Sequence, residues 1–451
     1  LGFAELEEYV NTKTLEEWAS IACLEADDII NLATSLARQE KTTLLMYTGL
    51  EYSNSGVQAI RAIYTIWALL GKLDQLGGLL LDAEANQERL KKIECAKAEK
   101  KPIGTREYPM FTELTRTAQF IKFPQAVLEN DPYPIKGLLN IGSSIITSYP
   151  NASKFAAALA KLEFLVVIDR YFTEDCKYAD VILPASTYFE IESYVLHGAS
   201  IKRRERVVEP LGEARQDIFI IHDIAKRLGY GENYPKDQAE LIERGLGSKE
   251  LAEQLSREGS VIRPMPARVY KKYEKGGIRK DGKAGFPTPS GKFEVKSSYL
   301  EEYGYPGLPE YIEPIESPIS QPDLAKNYPL ILNTGTRIQT TFRSQFLNIE
   351  GLLKIQPDPL VLINIDDAAK RGIEDGDRVW VKTIRDKVEF VAKVTKGMPL
   401  GEIELNMGGG SAYQAKSWAQ ANANRLTDDN NCDYISGFPV IKALLCEVEK
   451  I

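Results

Sequence analysis

The feature that most constrains this fold is an alternation of apolar and helical patterns in residues 136–190. An apolar run at 138–141 breaks at Gly142, a helical pattern follows at 151–162, and a second apolar run at 164–168 ends in Asp169. Two short apolar runs joined by one amphipathic helix are typical of parallel strands, because parallel pairing requires a long crossover connection. The pattern therefore predicts a strand, a crossover helix and a parallel strand.

The ends of these two strands carry small and acidic residues. In an open α/β sheet, ligands bind at the carboxyl edge, where Gly142, Ser143, Ser144 and Asp169 should lie side by side. Glycine lets the backbone approach a phosphate, and a carboxylate accepts hydrogen bonds from ribose hydroxyls or a guanine edge. The same residues also fit an ordinary βαβ unit in which Gly142 only turns the chain and Asp169 caps a helix. Taken alone, they leave both interpretations open.

Length and charge limit the class of protein. A chain of 451 residues is expected to hold about three domains. The net charge of −8 gives no electrostatic footprint for nucleic acid or for an anionic membrane surface. No apolar run reaches the roughly 20 residues of a membrane span. We therefore expect neither nucleic-acid binding nor a direct membrane span.

Cysteine and histidine usage offers no metal site. The five cysteines contain no CxxC pair, and there are only two histidines. An iron–sulfur motif, a histidine metal site and a Ser/His/Asp triad are therefore poorly supported, no metal ligand is assigned, and the chemistry is expected to come from a bound cofactor. We predict that each cysteine is a small buried apolar residue: Cys23, Cys95, Cys176, Cys432 and Cys446.

The N-terminal region reads as helices around one strand. Helical spacing covers residues 14–38, a strand is predicted at 43–47, and an apolar helix at 57–70 ends before Gly71. The charged segment 82–101 has helical spacing and reads as a solvated excursion. Residues 102–134 are expected to be irregular.

Three further features follow the βαβ unit. A third buried strand is predicted at 181–183. The basic run 202–206 either holds phosphates or forms a solvated strand face. A helix at 216–228 carries Asp217 in its first turn, where the carboxylate either favours the helix dipole or reads a base.

The C-terminal region has strand periodicity. Short β runs with one small helix at 366–371 predict a mostly β domain, namely a closed barrel with polar loops at 334–344 and 422–433. The runs lie at 330–333, 360–365, 378–383, 388–394 and 402–405.

Several stretches, taken in order and with their spacing, resemble one family. They include TGLEYSNSG, VVIDRYFTEDCKYADVILPASTYFEIESY, VVEPLGEARQDIFIIHDIAKRLG, LILNTGTRIQTTFRSQ, VLINIDDAAKRGIEDGDRVWVKT and ANANRLTDD. Together they are similar to the molybdopterin oxidoreductases of the dimethyl-sulfoxide-reductase type. FRSQFLNIEGLLKIQPDPLVLIN and ALLCEVEK look most like the acetylene-hydratase and thiosulfate- or polysulfide-reductase branches.

The resemblance implies an α/β fold class: parallel-sheet dinucleotide-binding domains followed by a C-terminal six-stranded barrel of the double-psi type. Residues 1–125 would end a central α/β molybdopterin domain. Residues 126–325 would form an α/β guanine-dinucleotide-binding domain with an insertion at 233–325. Residues 326–451 would form the barrel domain that binds molybdopterin dinucleotide.

The resemblance also implies site residues near the strand ends. A DxFxTxT-like segment that binds a guanosine end appears here as Asp169, Phe172, Thr173 and Asp175. Asp169 would bind the ribose or base, and Thr173 would donate to the pyrophosphate. Asp175 stands where the pattern often has threonine and is left out of the predicted site.

A second motif of the family is a loop that often reads Gly-x-Asn-Pro or Gly-x-Asp-Pro. Here it reads Gly142, Ser143, Ser144 and Ile145, without the proline. The backbone role of the first three residues is retained in the prediction.

Other implied cofactor-binding residues lie further along the chain. Asp217 matches an acid that pairs with the N1 and N2 donors of guanine. Arg337 and Thr341 match a barrel loop that clasps the cofactor, and Asn424 and Lys442 match polar positions near a pterin and a phosphate. No catalytic residue is identified.

The cofactor implied is a bis-molybdopterin guanine dinucleotide with Mo or W. The cysteine motif for an iron–sulfur cluster and the residue that binds the metal are not found in this sequence. By the family order, Leu1 falls after both, so the chain reads as the C-terminal portion of a catalytic subunit. We expect two-electron redox or oxygen- or sulfur-transfer chemistry on a small-molecule substrate, with an iron–sulfur electron-transfer subunit as partner. The expected location is cytoplasmic, or periplasmic if the preceding part carries a twin-arginine signal.

Three alternatives remain. One is a non-catalytic scaffold related to the large iron–sulfur subunit of NADH dehydrogenase, which lacks the pterin. Another is a plain nucleotide-binding protein complete at 451 residues. The third is a non-redox enzyme similar to acetylene hydratase.

Overall fold

The computed structural model describes residues 1–81, 100–263 and 267–451. The excursion predicted at 82–101 therefore lies almost wholly outside the described residues. The helices are α1 Phe3–Val10, α2 Leu15–Ile21, α3 Ala26–Arg38, α4 Gly56–Leu69, α5 Pro109–Thr115, α6 Phe123–Leu128, α7 Ile145–Ser148, α8 Ala152–Lys161, α9 Asp217–Arg227, α10 Gln238–Leu246, α11 Lys249–Glu258, α12 Ser298–Glu302, α13 Pro322–Ala325, α14 Glu350–Leu353, α15 Ile365–Lys370 and α16 Lys416–Ala419. The strands are β1 Gly137–Ile141, β2 Phe164–Asp169, β3 Val181–Pro184, β4 Ser193–His197, β5 Ser200–Arg204, β6 Ser260–Ile262, β7 Leu330–Thr336, β8 Leu360–Asn364, β9 Arg378–Lys382, β10 Lys387–Thr395, β11 Glu402–Asn406 and β12 Lys442–Lys450.

The predicted βαβ unit is confirmed as a parallel sheet in the order β1–β2–β3. In the β1–β2 register Ile141 pairs with Ile168, so Gly142 and Asp169 follow directly at one edge. The chain before α9 extends this edge, because Ala185 pairs with Arg215 in a parallel bridge. The loops after β1 and β2 and the start of α9 therefore lie along the carboxyl edge of one sheet.

An aromatic and aliphatic core fixes this sheet. The α8 helix begins after Asn151, whose side chain caps the amide of Lys154 at 3.3 Å. Phe155 on α8 is fully buried and packs against Tyr149 and Phe123, with ring centroids 5.0 and 6.5 Å away. Because the same cluster includes residues of β2, the crossover helix is held against the sheet.

The C-terminal region forms a closed barrel in the order β10–β8–β11–β7–β12–β9. The five β runs read from the sequence correspond to β7 through β11, and β12 is the sixth strand. Two neighbouring pairs, β10–β8 and β11–β7, are parallel, and the other four pairs around the barrel are antiparallel. Inward-facing residues alternate along each strand and form one apolar core, as a small closed barrel requires. The predicted fold class is confirmed.

Some local predictions were wrong. Residues 43–47 form no strand, and Leu45 and Tyr47 are 96% and 78% exposed. A segment with β propensity needs a neighbouring strand to hydrogen-bond with its backbone, and none of the described strands pairs with residues 43–47. The segment 102–134 is more ordered than expected, because it contains α5, α6 and a 3₁₀ helix at Phe120–Lys122.

The insertion predicted at 233–325 begins with regular structure. Helices α10 and α11 and strand β6 pack with β4 and β5 around a small apolar core of their own. The remaining part, after residue 267, consists mostly of turns and short helices, and residues 273–295 contain no strand. The domain boundaries given above stay predictions.

The cysteine prediction is correct for three residues. Cys176, Cys432 and Cys446 are buried, whereas Cys23 is exposed, and Cys95 lies outside the described residues. Cys23 follows the short helix α2 at a turn with φ of 53°, so it lies outside the apolar cores. In the part of the chain that the structure describes, no helix is long and apolar enough to cross a bilayer.

We predict that Phe155→Ala lowers the free energy of unfolding by about 3–5 kcal/mol, because the ring is fully buried and its loss leaves a cavity. Urea unfolding followed by circular dichroism measures this. Phe164→Ala is the matched control, because Phe164 is 51% exposed and its truncation is expected to cost far less. Equal losses in the two variants would contradict the packing described here.

Candidate functional site

A cleft lies at the carboxyl edge of the parallel sheet, against the barrel domain. We call it the strand-edge cleft. It encloses about 90 Å³, the space of about three water molecules, so it encloses only part of a nucleotide-sized ligand. Its lining comes from the loops after β1 and β2 and from two barrel loops: Gly142, Ser144, Asp169, Arg170, Tyr171, Phe172, Thr173, Ser344, Gln345, Phe346, Leu347, Asn348, Ser411, Tyr413 and Gln414.

The loop after β1 leaves room for a ligand to come close to its backbone. Gly142 has φ of +59°, and its N–H donates to Ile168 O at 2.8 Å. A Cβ placed on Gly142 would meet no atom within 4 Å, so it would project into open space. The N–H groups of Ser143 and Ser144 donate to no acceptor among the described residues. Two donors are thus available to a ligand, although Ser143 itself does not line the cleft.

Asp169 ends β2 and lies partly buried in the cleft. Its carboxylate accepts the N–H of Tyr171 at 3.2 Å. Burial raises the pKa of Asp169, and the charge of Asp217 raises this pKa further. Asp217, the first residue of α9, does not itself line the cleft, but its charge lies close enough to interact with Asp169. Acceptor groups on neighbouring elements suit a ligand that presents several N–H or O–H donors.

Asp175, which the sequence analysis left out of the site, lies behind the loop after β1 and is fully buried. It accepts hydrogen bonds from Ile145 N at 2.6 Å, Ile146 N at 3.0 Å and Asn140 Nδ2 at 2.9 Å. Burial raises the pKa of Asp175 to about 6, against the opposing effect of these hydrogen bonds. Its role here is structural, because it does not line the cleft.

Aromatic side chains bracket the mouth of the strand-edge cleft. The rings of Phe172 and Tyr413 stack with centroids 5.3 Å apart, and Tyr171 meets Phe346 edge to face at 6.0 Å. Each pair joins the sheet edge to a barrel loop. Thr173 lines the cleft beside them. Sequence reasoning missed Tyr413 and Phe346, because neither lies in a recognised motif and only the fold brings these loops together.

A second polar surface lies where the N-terminal region meets the barrel. We call it the barrel patch: Tyr47, Tyr52, Arg337, Arg343 and Lys442. The guanidinium of Arg337 lies 5.8 Å from the Tyr47 ring, and the ammonium of Lys442 lies 6.0 Å from the Tyr52 ring. Burial raises the pKa of Tyr52, whereas Arg343 and Arg337 act in the opposite direction. Two predicted site residues, Arg337 and Lys442, therefore meet at a cationic surface outside the strand-edge cleft.

Two threonines of the barrel loop after β7 have unsatisfied hydroxyls. Thr336 Oγ1 and Thr341 Oγ1 are buried without a hydrogen-bond partner among the described residues. Buried hydroxyls in proteins are usually paired, so these two are available to a group that the chain itself does not supply. With the cations of the barrel patch they suit the phosphates of a ligand, whereas the acids at the strand-edge cleft suit the donors of a guanine nucleotide.

Asn424 lies at the contact between the two domains. We define the seam by Asn422, Asn424 and Asp429 of the barrel loop. Asn422 and Asn424 donate to the carbonyls of Ile146 and Thr147 at 3.1 and 2.8 Å. Asp429 accepts from Asn151 at 2.8 Å and Lys154 at 2.6 Å. Asn424 thus holds helix α7 and does not line the strand-edge cleft.

The basic run 202–206 lies on and after β5, away from the cleft lining. Arg203 pairs with Glu192 at 2.8 Å, and Arg206 pairs with Glu209 at 3.1 Å. Carboxylates already pair with the guanidinium groups of Arg203 and Arg206, which favours the structural interpretation for these two residues, whereas Nε of Arg204 is buried without a hydrogen-bond partner among the described residues. Among the described residues, no group of three or more His, Cys, Asp and Glu side chains is arranged to hold a metal ion.

The raised pKa of Asp175 predicts a pH effect on stability. The folded carboxyl keeps its proton up to about pH 6, whereas the unfolded one loses it near its ordinary pKa of 3.8. The stabilisation from this proton is full below pH 3.8 and is lost as pH rises through 6. Between pH 5 and pH 7, the free energy of unfolding should fall by about 1 kcal/mol more in the wild type than in Asp175→Asn. Urea unfolding at both pH values tests this, and parallel pH profiles would contradict it.

Comparison with known proteins gives two family matches. Residues 28–227 match the family described as "Molybdopterin oxidoreductase", and residues 330–445 match "Molydopterin dinucleotide binding domain". The first range includes the strand-edge residues Gly142, Asp169 and Asp217. The second range includes most of the barrel and its two cationic loop residues, Arg337 and Arg343.

Individual relatives cover nearly the whole chain. Acetylene hydratase of Syntrophotalea acetylenica is 27% identical over 98% of this chain and 65% of its own length. The thiosulfate reductase molybdopterin-containing subunit PhsA of Salmonella typhimurium is 27% identical over 93% of this chain and 59% of its own length. The structure of acetylene hydratase from Pelobacter acetylenicus matches with a TM-score of 0.88 and 26% identity, over 100% of this chain and 66% of that one. The chain thus spans about three fifths of the length of these two curated relatives, and it contains a molybdopterin oxidoreductase domain and a molydopterin dinucleotide binding domain.

Proposed function

We propose that this chain binds the guanine dinucleotide ends of a Mo or W bis-pterin cofactor and forms the C-terminal part of a catalytic subunit. The observation that carries the proposal is the strand-edge cleft, where Asp169 offers an acceptor beside the open backbone of Gly142 and the charge of Asp217 lies close enough to act on Asp169. Guanine presents N1 and N2 donors, and ribose presents hydroxyls, so acidic acceptors suit this end of the cofactor. The family matches support the same cofactor class.

The two polar surfaces would bind different parts of the cofactor. In the strand-edge cleft, Asp169 would accept from the ribose or guanine, Asp217 would accept from the guanine edge, and Thr173 would donate to the pyrophosphate. Arg170 lines the same cleft and supplies a positive charge there.

The barrel patch would hold the second dinucleotide. Arg337 and Lys442 would bind its phosphates, and the unpaired hydroxyl of Thr341 would donate to it. Asn424 would act indirectly by holding helix α7 at the seam.

The loop after β1 would contribute to the first dinucleotide site. Gly142 would leave room for the ligand, and Ser143 and Ser144 would offer their N–H groups as donors.

The bound group would supply a metal centre for two-electron redox or oxygen- or sulfur-atom transfer. The residues of this chain would bind and orient the two pterins, while the metal ligand and an iron–sulfur cluster would come from the N-terminal part of the complete subunit. The partners would be a small-molecule substrate and an iron–sulfur electron-transfer subunit. We propose a cytoplasmic location, with the periplasm as the alternative.

A second candidate is non-redox hydration. It is favoured by the similarity to acetylene hydratase over almost the entire chain. Both candidates use the same cofactor-binding surfaces, so they differ only in chemistry at the metal. The non-catalytic scaffold would need neither the acids of the strand-edge cleft nor the cations of the barrel patch, and the two surfaces together count against it.

Metal and nucleotide analysis of the complete gene product tests the cofactor. We expect about one Mo or W and about two GMP, after acid release, per polypeptide, as a bis-pterin guanine dinucleotide requires. Mass spectrometry measures the metal, and chromatography measures the GMP. Absence of both would turn the interpretation toward a scaffold that has kept the fold without the cofactor.

A matched glycine pair tests the strand-edge cleft. Gly142→Ala should lower the GMP affinity of the chain by roughly tenfold, because the added methyl projects from the backbone toward the ligand. Gly198→Ala is the control, because Gly198 has φ of +57° and also has no atom within 4 Å of an added Cβ. Both variants carry the same backbone cost, but only Gly142 lines the cleft. Equal GMP affinities in calorimetric titration would place the nucleotide elsewhere.

A further inference from the structure

The chain departs from the family pattern at two positions that contact each other. Ile145 stands in the slot where the loop pattern has proline, and Asp175 stands in the slot where the strand-end pattern has threonine. The N–H of Ile145 donates to Asp175 Oδ2 at 2.6 Å. These positions are thirty residues apart in sequence. The contact joins the loop after β1 to the segment after β2.

The two residues that depart from the pattern, Ile145 and Asp175, complement each other as hydrogen-bond donor and acceptor. Proline has no N–H, so a proline at position 145 would need no acceptor there. Isoleucine has an N–H, and residue 145 is only 2% exposed, so that donor must find a protein partner. The Asp175 carboxylate has two oxygens and also accepts from Ile146 and Asn140. One carboxylate thus satisfies three buried donors.

The same network extends into the loop that borders the cleft. Asn140 Nδ2 donates to Asp175 and also to the carbonyl of Ser143 at 2.9 Å. The Ser143 carbonyl is therefore directed inward, while the N–H groups of Ser143 and Ser144 have no protein acceptor among the described residues. Asp175 acts on both ends of this loop without lining the cleft.

We propose that Asp175 is a positioning residue that replaces the fixed geometry of a proline at 145 and holds residues 142–146 in the conformation that binds the guanine nucleotide. The proposal rests on the proposed function of the strand-edge cleft. Asp175 does not touch the ligand. It sets the direction of the loop carbonyl and of the two free N–H groups through Ile145, Ile146 and Asn140.

If charge alone determined nucleotide affinity, removal of the Asp175 carboxylate would have the opposite effect on that affinity. A carboxylate behind the loop repels the phosphate of a nucleotide, so its removal would strengthen binding if charge were the dominant effect. Three hydrogen bonds to the carboxylate outweigh this, because their loss leaves buried backbone donors unpaired and the loop free to change conformation. The sign of the change in affinity therefore separates positioning from charge.

A double-mutant cycle at pH 7.5 tests the proposal, with calorimetric titration of the chain by GMP. Asp175→Thr and Ile145→Pro should each weaken GMP binding by roughly tenfold. The first removes the carboxylate acceptor, and the second removes the N–H of residue 145 that donates to this carboxylate. The double variant should lose less affinity than the sum of the two single losses, because a proline at 145 removes one of the three donors that the carboxylate accepts. Proline is acceptable there because residue 145 is the first residue of α7.

The cycle has three controls. Asp367→Thr removes another buried carboxylate that accepts a backbone N–H, that of Gly401 at 2.7 Å in the barrel, and should lower stability without changing GMP affinity. Hydrogen exchange of residues 137–148, read by mass spectrometry, should rise in both single variants, and should rise in the double variant by less than the sum of the two single effects. Circular dichroism confirms that each variant is folded at the titration temperature.

The outcomes separate this inference from the proposed function. Failure of the wild-type chain to bind GMP would overturn the proposed function of the cleft. Wild-type binding with additive losses in the double variant would overturn only the pairing of positions 145 and 175. Tighter binding by Asp175→Thr than by the wild type would show that charge dominates and would also overturn the inference.

Discussion

The strand-edge cleft depends on the seam between the parallel sheet and the barrel. Asp429 is almost fully buried, and its charge is balanced by Lys154 at 2.6 Å and by the amide of Asn151. Breaking a buried pair of this kind is costly, because an uncompensated charge remains in a poorly solvated place. Asn422 and Asn424 add hydrogen bonds to the carbonyls of α7. The seam thus fixes the barrel loops against the sheet edge, and without it the cleft would have only one wall.

Charge of one sign dominates the sheet edge. Asp169 ends β2, Asp175 lies in the 3₁₀ helix that follows β2, and Asp217 begins α9, and the charge of Asp169 is close enough to interact with each of the other two. Burial and mutual repulsion raise the pKa values of the first two. The acids at this edge favour ligand atoms that donate hydrogen bonds, and Arg170 beside them supplies the positive charge of the cleft. The cations Arg337 and Lys442 lie on the barrel patch instead, so the phosphates of a second dinucleotide would bind there, as proposed above.

The sequence predicted the sheet edge well, because local patterns specify it. Apolar runs with a crossover helix determine parallel pairing, and the register then places Gly142 beside Asp169. The strand predicted at 43–47 was wrong, because strand formation depends on a partner that the local pattern does not reveal. Tyr413 and Phe346 were missed for a related reason: they reach the cleft only through the seam and the closure of the barrel. Asn424 was assigned to the cofactor from the resemblance, but its side chain holds α7.

Asp175 shows why a departure from a family pattern can carry structural information. A buried carboxyl group whose pKa is raised to about 6 is less favourable in its charged form in the folded chain than in water, so at neutral pH the burial of its charge does not itself stabilise the fold. Such groups persist where they fix a conformation that packing alone would leave undetermined. Here the conformation is that of the loop after β1, whose Gly142 has a positive φ and whose neighbouring serines keep free N–H groups. The unfavourable burial of the Asp175 charge is therefore best explained by its role in fixing the conformation of the loop at the edge of the cleft.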